Sequence, residues 1–149
     1  LLTLMVQSGL LVPVSEGSTF AVFQQVFADI GDGQNIEQSL STFSSHMTNM
    51  IHILKYTGPS TLVLLDELAS GTDPGEGVGL AIALLEALFA KGAHVAATTH
   101  YNEIKTFAAD TPGFENARME FDVETLAPLY RLRIGEAGSS YAFQIASKL

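Results

Sequence analysis

The most informative pattern along the chain is an apolar run, Thr61–Leu65, that leads directly into two adjacent carboxylates, Asp66 and Glu67. Turn-forming residues at Tyr56–Ser60 precede the run. A short apolar run between turns is typical of a strand that is buried on both faces of a parallel sheet. We therefore predict a strand that presents Asp66 and Glu67 at its C-terminal end, where ligands bind in open parallel sheets.

A second run, Val95–His100, repeats this pattern of an apolar strand that ends in a polar residue. The turn Ser70–Pro74 and an apolar helical segment lie between the two runs. Strand, turn, helix and strand in this order predict a right-handed β-α-β unit with both strands in one sheet. Such a unit would bring Asp66, Glu67 and His100 to the same edge.

The helix between the two strands has clear start and stop signals. Asp73 is a suitable N-cap, Pro74 suits the first helical position and Glu76 suits the third, and Gly92 ends the helix. These capping roles explain the residues without any further function. The predicted buried residues of this helix are Val78, Ala81, Ile82, Leu85 and Phe89.

The rest of the pattern predicts further helices on both sides of this unit and an antiparallel strand pair near the end of the chain. One helix is expected to bury an apolar stripe made of Phe43, Met47, Met50, Ile51 and Leu54. The other predicted elements are a buried helix at Leu1–Ser8, one or two strands within Phe20–Ile30, a short helix at Tyr101–Ala109, strands at Phe114–Val123 and Pro128–Ile134, and a helix from Tyr141.

Composition restricts the possible functions. The 149 residues are enough for one domain with a sizeable core. The net charge of −9 argues against a broad phosphate-binding face for nucleic acid in this part of the protein. The absence of cysteine excludes disulfides and thiolate metal sites, and it is compatible with the cytoplasmic localisation that we expect. The apolar opening, Leu1–Val6, is too short to span a membrane.

The polar strand ends are the strongest candidates for chemistry. Asp66 is the metal candidate, because Mg²⁺ prefers hard oxygen ligands and keeps most of its waters. Glu67 is the candidate for orienting an attacking water, and His100 could donate a hydrogen bond to a terminal phosphate. The alternative is a polar strand end that faces solvent, with a purely structural histidine.

Other polar positions leave two interpretations open. Ser39 or Ser41 could cap the helix that follows or bind an anion at its N-terminus. Asp29, with Gln24 and Gln25, could approach a nucleotide or form a solvated strand face. The histidines of the following helix, His46 and His52, are expected to be surface or packed side chains rather than ligands.

Several short blocks in this order resemble the Walker B, D-loop and H-loop series of P-loop ATPases, and in particular the ATPase domain of the MutS family. The blocks are Leu64–Glu67, Gly71–Pro74, Ala97–Tyr101 and Ser139–Phe143. Two longer stretches, Ile30–Phe43 and Glu115–Leu126, are similar to the second bacterial MutS paralogue branch, which is associated with limiting recombination. The resemblance extends over essentially the whole chain.

The resemblance implies an α/β fold: a P-loop NTPase of the ABC-ATPase type, with a mostly parallel sheet and flanking helices. Residues 1–149 would be the C-terminal portion of a MutS-type ATPase domain, incomplete at its N-terminus. It also implies ATP and Mg²⁺ as cofactors, a homodimer formed through the ATPase domains, and DNA contacts mainly outside these residues. Family members of this branch often carry a C-terminal Smr nuclease domain.

The resemblance assigns roles to individual residues as well. Asp66 would hold the Mg²⁺ shell, Glu67 would orient the hydrolytic water and His100 would contact the γ-phosphate. The signature segment that closes over ATP in the other subunit would comprise Ser39, Ser41 and Thr42. Thr72 and Asp73 would lie at the shared dimer interface.

One departure from the family pattern affects the expected activity. No Gly-rich loop followed by Lys-Ser or Lys-Thr occurs in the sequence, so the chain is expected to begin just after the Walker A motif. We therefore expect these 149 residues alone to bind ATP weakly and not to hydrolyse it. The alternatives are an ABC-type head of another system, although the Leu-Ser-Gly-Gly-Gln signature is absent, or a non-enzymatic dimerisation module.

Overall fold

The computed structural model describes residues 1–30, 39–68, 70–122, 124–125, 127–139 and 145–147, with the side chains of 39–43 left out. The chain divides into two compact units, Leu1–His100 and Tyr101–Leu149. The elements of the first unit are α1 (Leu2–Gln7), β1 (Gln25–Asp29), α2 (Ser39–Tyr56), β2 (Thr61–Leu65), α3 (Pro74–Ala90) and β3 (His94–Ala97). Those of the second unit are α4 (Asn102–Asp110), β4 (Ala117–Asp122) and β5 (Ala127–Ile134). The predicted helix from Tyr141 begins outside the described residues.

The first unit contains a parallel three-stranded sheet in the order β1-β2-β3. In its register Asp29 pairs with Leu65, and Leu65 pairs with Ala97, so the three strands end at the same level. The prediction of an α/β fold with a parallel β2-α3-β3 unit is therefore confirmed. The buried apolar core of this unit consists of Ile53, Val63, Leu65, Leu68, Ala81, Leu84, Leu85 and Leu88.

The prediction that β2 is buried on both faces is wrong. Thr61, Val63 and Leu65 are buried, whereas Leu62 and Leu64 are only half-buried. Leu64 lies between two alanines of the neighbouring strands, at positions 28 and 96, and both are exposed. Their small side chains cover little of this face, so the strand alternates in burial.

The predicted buried face of α2 is also wrong in part. Ile51 is 66% exposed, whereas Ile53, which lay outside the predicted stripe, is 1% exposed. The helix packs against both β1 and α3, so it buries a second side that carries polar residues such as His46 and Asn49. A stripe defined by apolar residues alone could not include that side. The side chain of Phe43 lies outside the described residues.

The predicted face of α3 is shifted. Ala81 and Leu85 are buried as expected, but the other buried positions are 77, 84 and 88, while Phe89 is exposed. The sequence of α3 is apolar on nearly all sides, so its spacing does not distinguish one face from another.

The N-terminal helix differs from its prediction in burial. The helix α1 has no buried residue, because six residues form less than two turns and present only a small surface. Gly9 has φ of +76° just beyond its end, as expected of a glycine that stops a helix. Gln7 anchors the helix to the backbone of Phe23: its Nε2 donates to the carbonyl at 2.8 Å and its Oε1 accepts from the amide at 3.1 Å.

In the second unit β4 and β5 form an antiparallel pair, as predicted. Across this pair, Arg133 Nε donates to Glu120 Oε1 at 2.6 Å. This hydrogen bond from the guanidinium holds the pKa of the Glu120 carboxyl below its usual range and raises the pKa of Arg133. The α4 helix in this unit is tied down through Lys105, whose Nζ donates to the Gly138 carbonyl at 2.9 Å.

Candidate functional site

The candidate site lies at the C-terminal edge of the parallel sheet, where the hydrogen-bond ladder continues beyond the last residues of the strands. The Asp66 amide donates to the Asp29 carbonyl at 2.9 Å. On the other side of β2, the Thr98 amide donates to the Leu65 carbonyl at 2.9 Å and the Leu68 amide donates to the Thr98 carbonyl at 2.8 Å. The backbone at the start of the two candidate carboxylates is therefore held from both sides, and the backbone after them is held by Thr98.

The hydroxyl of Thr98 connects the two candidate catalytic residues. Thr98 Oγ1 donates a hydrogen bond to Asp66 Oδ1 and accepts one from the Glu67 amide at 2.9 Å. All three residues are exposed to solvent, as residues that contact a ligand must be. Thr98 thus orients the Asp66 carboxylate and fixes the backbone from which the Glu67 side chain leaves.

The role of Thr98 was not predicted from the sequence. Leu65 is in register with Ala97, so the next residue on each strand, Asp66 and Thr98, must also be neighbours. That register becomes known only when the two strands are paired in space.

Glu67 has an unusual backbone conformation, with φ of +48°. L-residues other than glycine seldom adopt positive φ, and such residues are concentrated at functional sites. Two hydrogen bonds hold the conformation. The Glu67 amide donates to the Thr98 hydroxyl, and the Ser70 amide donates to the Glu67 carbonyl at 3.0 Å. The chain therefore turns sharply at Glu67.

The structure places the remaining predicted residues of this edge as follows. The predicted strand Val95–His100 ends earlier, at Ala97, so His100 lies three residues beyond β3; it is exposed. Asp73 is the N-cap of α3, and its Oδ1 accepts from the amides of Gly75 at 3.0 Å and Glu76 at 3.2 Å. Thr72, just before this cap, is half-buried. The predicted capping role of Asp73 is confirmed, whereas an interface role for Thr72 and Asp73 stays a prediction.

The predicted solvated face fits Gln24 and Gln25, which are exposed, but it is wrong for Asp29 at the end of β1. Asp29 is not on a solvated face, because only 8% of its surface is exposed. Its Oδ1 accepts from Asn49 Nδ2 at 2.7 Å, and His46 Nδ1 lies 2.8 Å from its Oδ2. With Asp29 as a carboxylate, which only accepts hydrogen bonds, this contact requires the His46 tautomer that has a proton on Nδ1. His46 is thus a packed side chain, as predicted.

Exposed His52 lies farther along α2 and has a different environment. Its ring contacts the rings of Phe27 and Tyr56, with centroid separations of 6.1 and 4.7 Å. The first residues of α2 include Ser39, Ser41 and Thr42, but the side chains of these three lie outside the described residues. Their predicted roles in a signature segment are therefore untested.

The donor set at the sheet edge fits a hydrated magnesium ion. Asp66 supplies an exposed carboxylate oxygen, and Mg²⁺ is commonly bound through one or two carboxylates, water and substrate phosphates. Within the described residues no group of three histidine, cysteine or acidic side chains is arranged to enclose a metal. Mg²⁺ does not need such a cage.

The described helices include none that is long and apolar enough to cross a membrane.

Comparison with known proteins relates this site to one family. The family sequence model described as MutS domain V matches residues 1–149. Endonuclease MutS2 of Halalkalibacterium halodurans is 60% identical over 149 residues, and the corresponding proteins of Pelotomaculum thermopropionicum and Enterococcus faecalis are each 59% identical. Each match covers 100% of this chain and 19% of the relative, so the chain spans about a fifth of the length of these proteins.

Proposed function

Because the chain belongs to the MutS domain V family, we propose that it forms part of a magnesium-dependent ATPase in a DNA-associated protein. The observation that carries the proposal is the sheet edge at which Thr98 holds both Asp66 and Glu67. Two adjacent carboxylates at the end of a parallel strand are suited to phosphoryl transfer, in which positioning and charge stabilisation supply most of the catalysis.

In this proposal each residue at the edge has a separate task. Asp66 holds the hydrated Mg²⁺, which when bound neutralises charge on the phosphate oxygens. Glu67 orients the attacking water and accepts its proton. His100, three residues after the end of β3, donates a hydrogen bond to the terminal phosphate. The Asp66 carboxylate is oriented before substrate binds, because the Thr98 hydroxyl donates to its Oδ1.

The wider assembly that we propose is a homodimer of the ABC-ATPase type. Ser39, Ser41 and Thr42 form the segment that closes over ATP bound in the other subunit, and Thr72 and Asp73 lie at the shared interface. Asp73 already serves as the N-cap of α3, so its position at the start of this helix is fixed. A second role would therefore use a side chain that is ordered in advance.

The function of the whole protein extends beyond these residues. We propose that ATP hydrolysis drives a conformational change on branched or recombination-intermediate DNA in the cytoplasm. With a net charge of −9, this part of the protein is a poor surface for DNA, so the DNA contacts lie mainly in other segments. The relatives are named endonucleases, but the site described here is suited to ATP hydrolysis, and we assign the nuclease to another part of such proteins.

The proposal is tested by ATP hydrolysis in the full-length protein with Glu67→Gln. The glutamine side chain has the size of glutamate but cannot act as a base. The rate of ATP hydrolysis should therefore fall by roughly 10²- to 10⁴-fold while ATP binding is retained. Glu86→Gln is the matched control, since Glu86 is an exposed glutamate in α3. A folded, dimeric parent that hydrolyses no ATP would overturn the proposal and favour a dimerisation module.

The 149 residues without the rest of the protein provide a second test. They contain no glycine-rich loop followed by Lys-Ser or Lys-Thr, so we expect weak ATP binding and no turnover from them alone. Equilibrium binding of a fluorescent ATP analogue measures this, and micromolar affinity would contradict it.

A further inference from the structure

Asp29 links the helix α2 to the strand end that carries the candidate catalytic residues. Its side chain holds α2, since Asn49 Nδ2 lies 2.7 Å from Oδ1 and His46 Nδ1 lies 2.8 Å from Oδ2. Its backbone holds β2, since the carbonyl of Asp29 accepts the Asp66 amide at 2.9 Å. One residue therefore connects a helix and the neighbouring strand through separate groups.

This arrangement is well defined because Asp29 is buried and both of its side-chain oxygens have a hydrogen-bond partner. Asp29 is 8% exposed, and a carboxylate so far from solvent is costly unless donors satisfy it. His46 and Asn49 are three residues apart in α2, so they project from the same side of the helix and reach the two oxygens together. Removing one donor leaves the buried carboxylate incompletely paired.

Packing alone does not account for these polar residues. A buried apolar set of similar size commonly gives equal or greater stability than a buried charged set. What the polar set adds is direction, because hydrogen bonds to two different oxygens fix both the rotation and the sliding of α2 relative to β1. The Asp66 amide is hydrogen-bonded to the same residue, so a displacement of β1 also displaces the backbone of Asp66, the metal candidate.

We propose that Asp29, His46 and Asn49 are positioning residues for ATP hydrolysis. They act through Asp29 on the backbone of Asp66, and none of them needs to touch the nucleotide. This inference rests on the proposed ATPase function, and it adds residues that lie on α2 and β1 rather than at the ends of β2 and β3.

The test compares two substitutions of His46 in the full-length protein. His46→Leu removes the donor to Asp29. Asparagine has an N–H group on a nitrogen that is bonded to Cγ, which is also the position of Nδ1 in histidine. His46→Asn therefore retains the donor. We expect His46→Leu to lower kcat by about fivefold, because only part of the loss of one hydrogen bond to a carboxylate reaches Asp66, with KM for ATP nearly unchanged. His46→Asn should recover most of the rate.

A control and a second measurement separate positioning from a loss of folding. His52→Leu changes another histidine of α2 that contacts aromatic rings, and it should leave kcat within about twofold of the parent. Amide hydrogen exchange of a peptide that covers residues 61–68 should speed up in His46→Leu and return towards the parent rate in His46→Asn, because protection of the Asp66 amide depends on Asp29.

Each outcome has a defined meaning. Equal kcat values for His46→Leu and His46→Asn in a parent that hydrolyses ATP overturn this inference and leave the proposed function in place. A rate that falls only in proportion to the folded fraction, measured by circular dichroism, also overturns it. A folded parent that neither binds nor hydrolyses ATP overturns the proposed function and this inference with it.

Discussion

Replacing Thr98 with valine tests whether the hydroxyl at the sheet edge sets the rate of ATP hydrolysis. Valine has the shape of threonine but lacks the hydroxyl. This hydroxyl donates a hydrogen bond to Asp66 Oδ1 and accepts one from the Glu67 amide at 2.9 Å. The strand pairing of Thr98 through its backbone would be unaffected. The substitution therefore removes the bond that orients the Asp66 carboxylate and one bond that holds the Glu67 backbone, and it leaves the fold intact.

The size of the effect follows from the two hydrogen bonds. A bond to a charged group contributes about 1.5–3 kcal/mol and one between neutral groups about 0.5–1.5 kcal/mol. Thr98 is exposed, so water replaces part of this interaction. We take about 1–2 kcal/mol as the net loss of positioning, which corresponds to a fall in kcat of roughly 5- to 30-fold.

Steady-state ATP hydrolysis by the full-length protein measures this change. Thr98→Ser keeps the hydroxyl and should remain within about threefold of the parent, as its extra rotational freedom costs little. Thr106→Val is the control for loss of a threonine hydroxyl, because the Thr106 hydroxyl donates to the Asn102 carbonyl within α4. The reasoning is refuted if folded Thr98→Val turns over ATP at the rate of Thr106→Val.

Three further predictions concern stability. Asp73→Ala should lower the free energy of unfolding by about 1 kcal/mol through loss of the N-cap, and Asp73→Ser should restore most of it in denaturant titrations. Gly71 has φ of +85°, so Gly71→Ala should lower the free energy of unfolding by about 1 kcal/mol. Gly79 lies in α3 with open space around it, so Gly79→Ala should raise the free energy of unfolding by about 0.5–1 kcal/mol. Changes of the same sign in the two variants would contradict this. The pKa of Glu120 is lower in the folded than in the unfolded state, so its pairing with Arg133 stabilises the fold above about pH 4.3 and is lost as pH falls through the lowered pKa. The thermal midpoint should therefore drop more steeply on acidification in the parent than in Glu120→Gln, and parallel curves would contradict the assignment.

The strands and the start of α3 could be predicted because their signals are local. An apolar run between turns defines β2, and the chemistry of Asp73, Pro74 and Glu76 defines a helix start within four residues. Each of these signals is read from neighbouring residues, and none depends on where distant parts of the chain lie.

The sides of the helices could not be predicted in the same way. In α3 almost every side is apolar, so burial was decided by tertiary packing and fell on residues such as Leu84 and Leu88. In α2 the side that faces β1 carries His46 and Asn49, which an apolar stripe leaves out. Polar residues that face a neighbouring strand because they form hydrogen bonds to it have no hydrophobic periodicity.

The contacts among the candidate catalytic elements lead to an expected order of effects. Glu67 acts on the reacting water, Thr98 acts on Glu67 and Asp66 directly, and His46 acts only through Asp29. Each additional contact in this series allows local adjustment, so the loss of kcat should decrease from Glu67→Gln to Thr98→Val to His46→Leu. Measuring the three variants side by side under saturating ATP tests the order. If His46→Leu lowers kcat more than Thr98→Val does, α2 affects hydrolysis by a route other than the Asp29 carbonyl, and the proposed series of contacts from His46 through Asp29 to Asp66 is wrong.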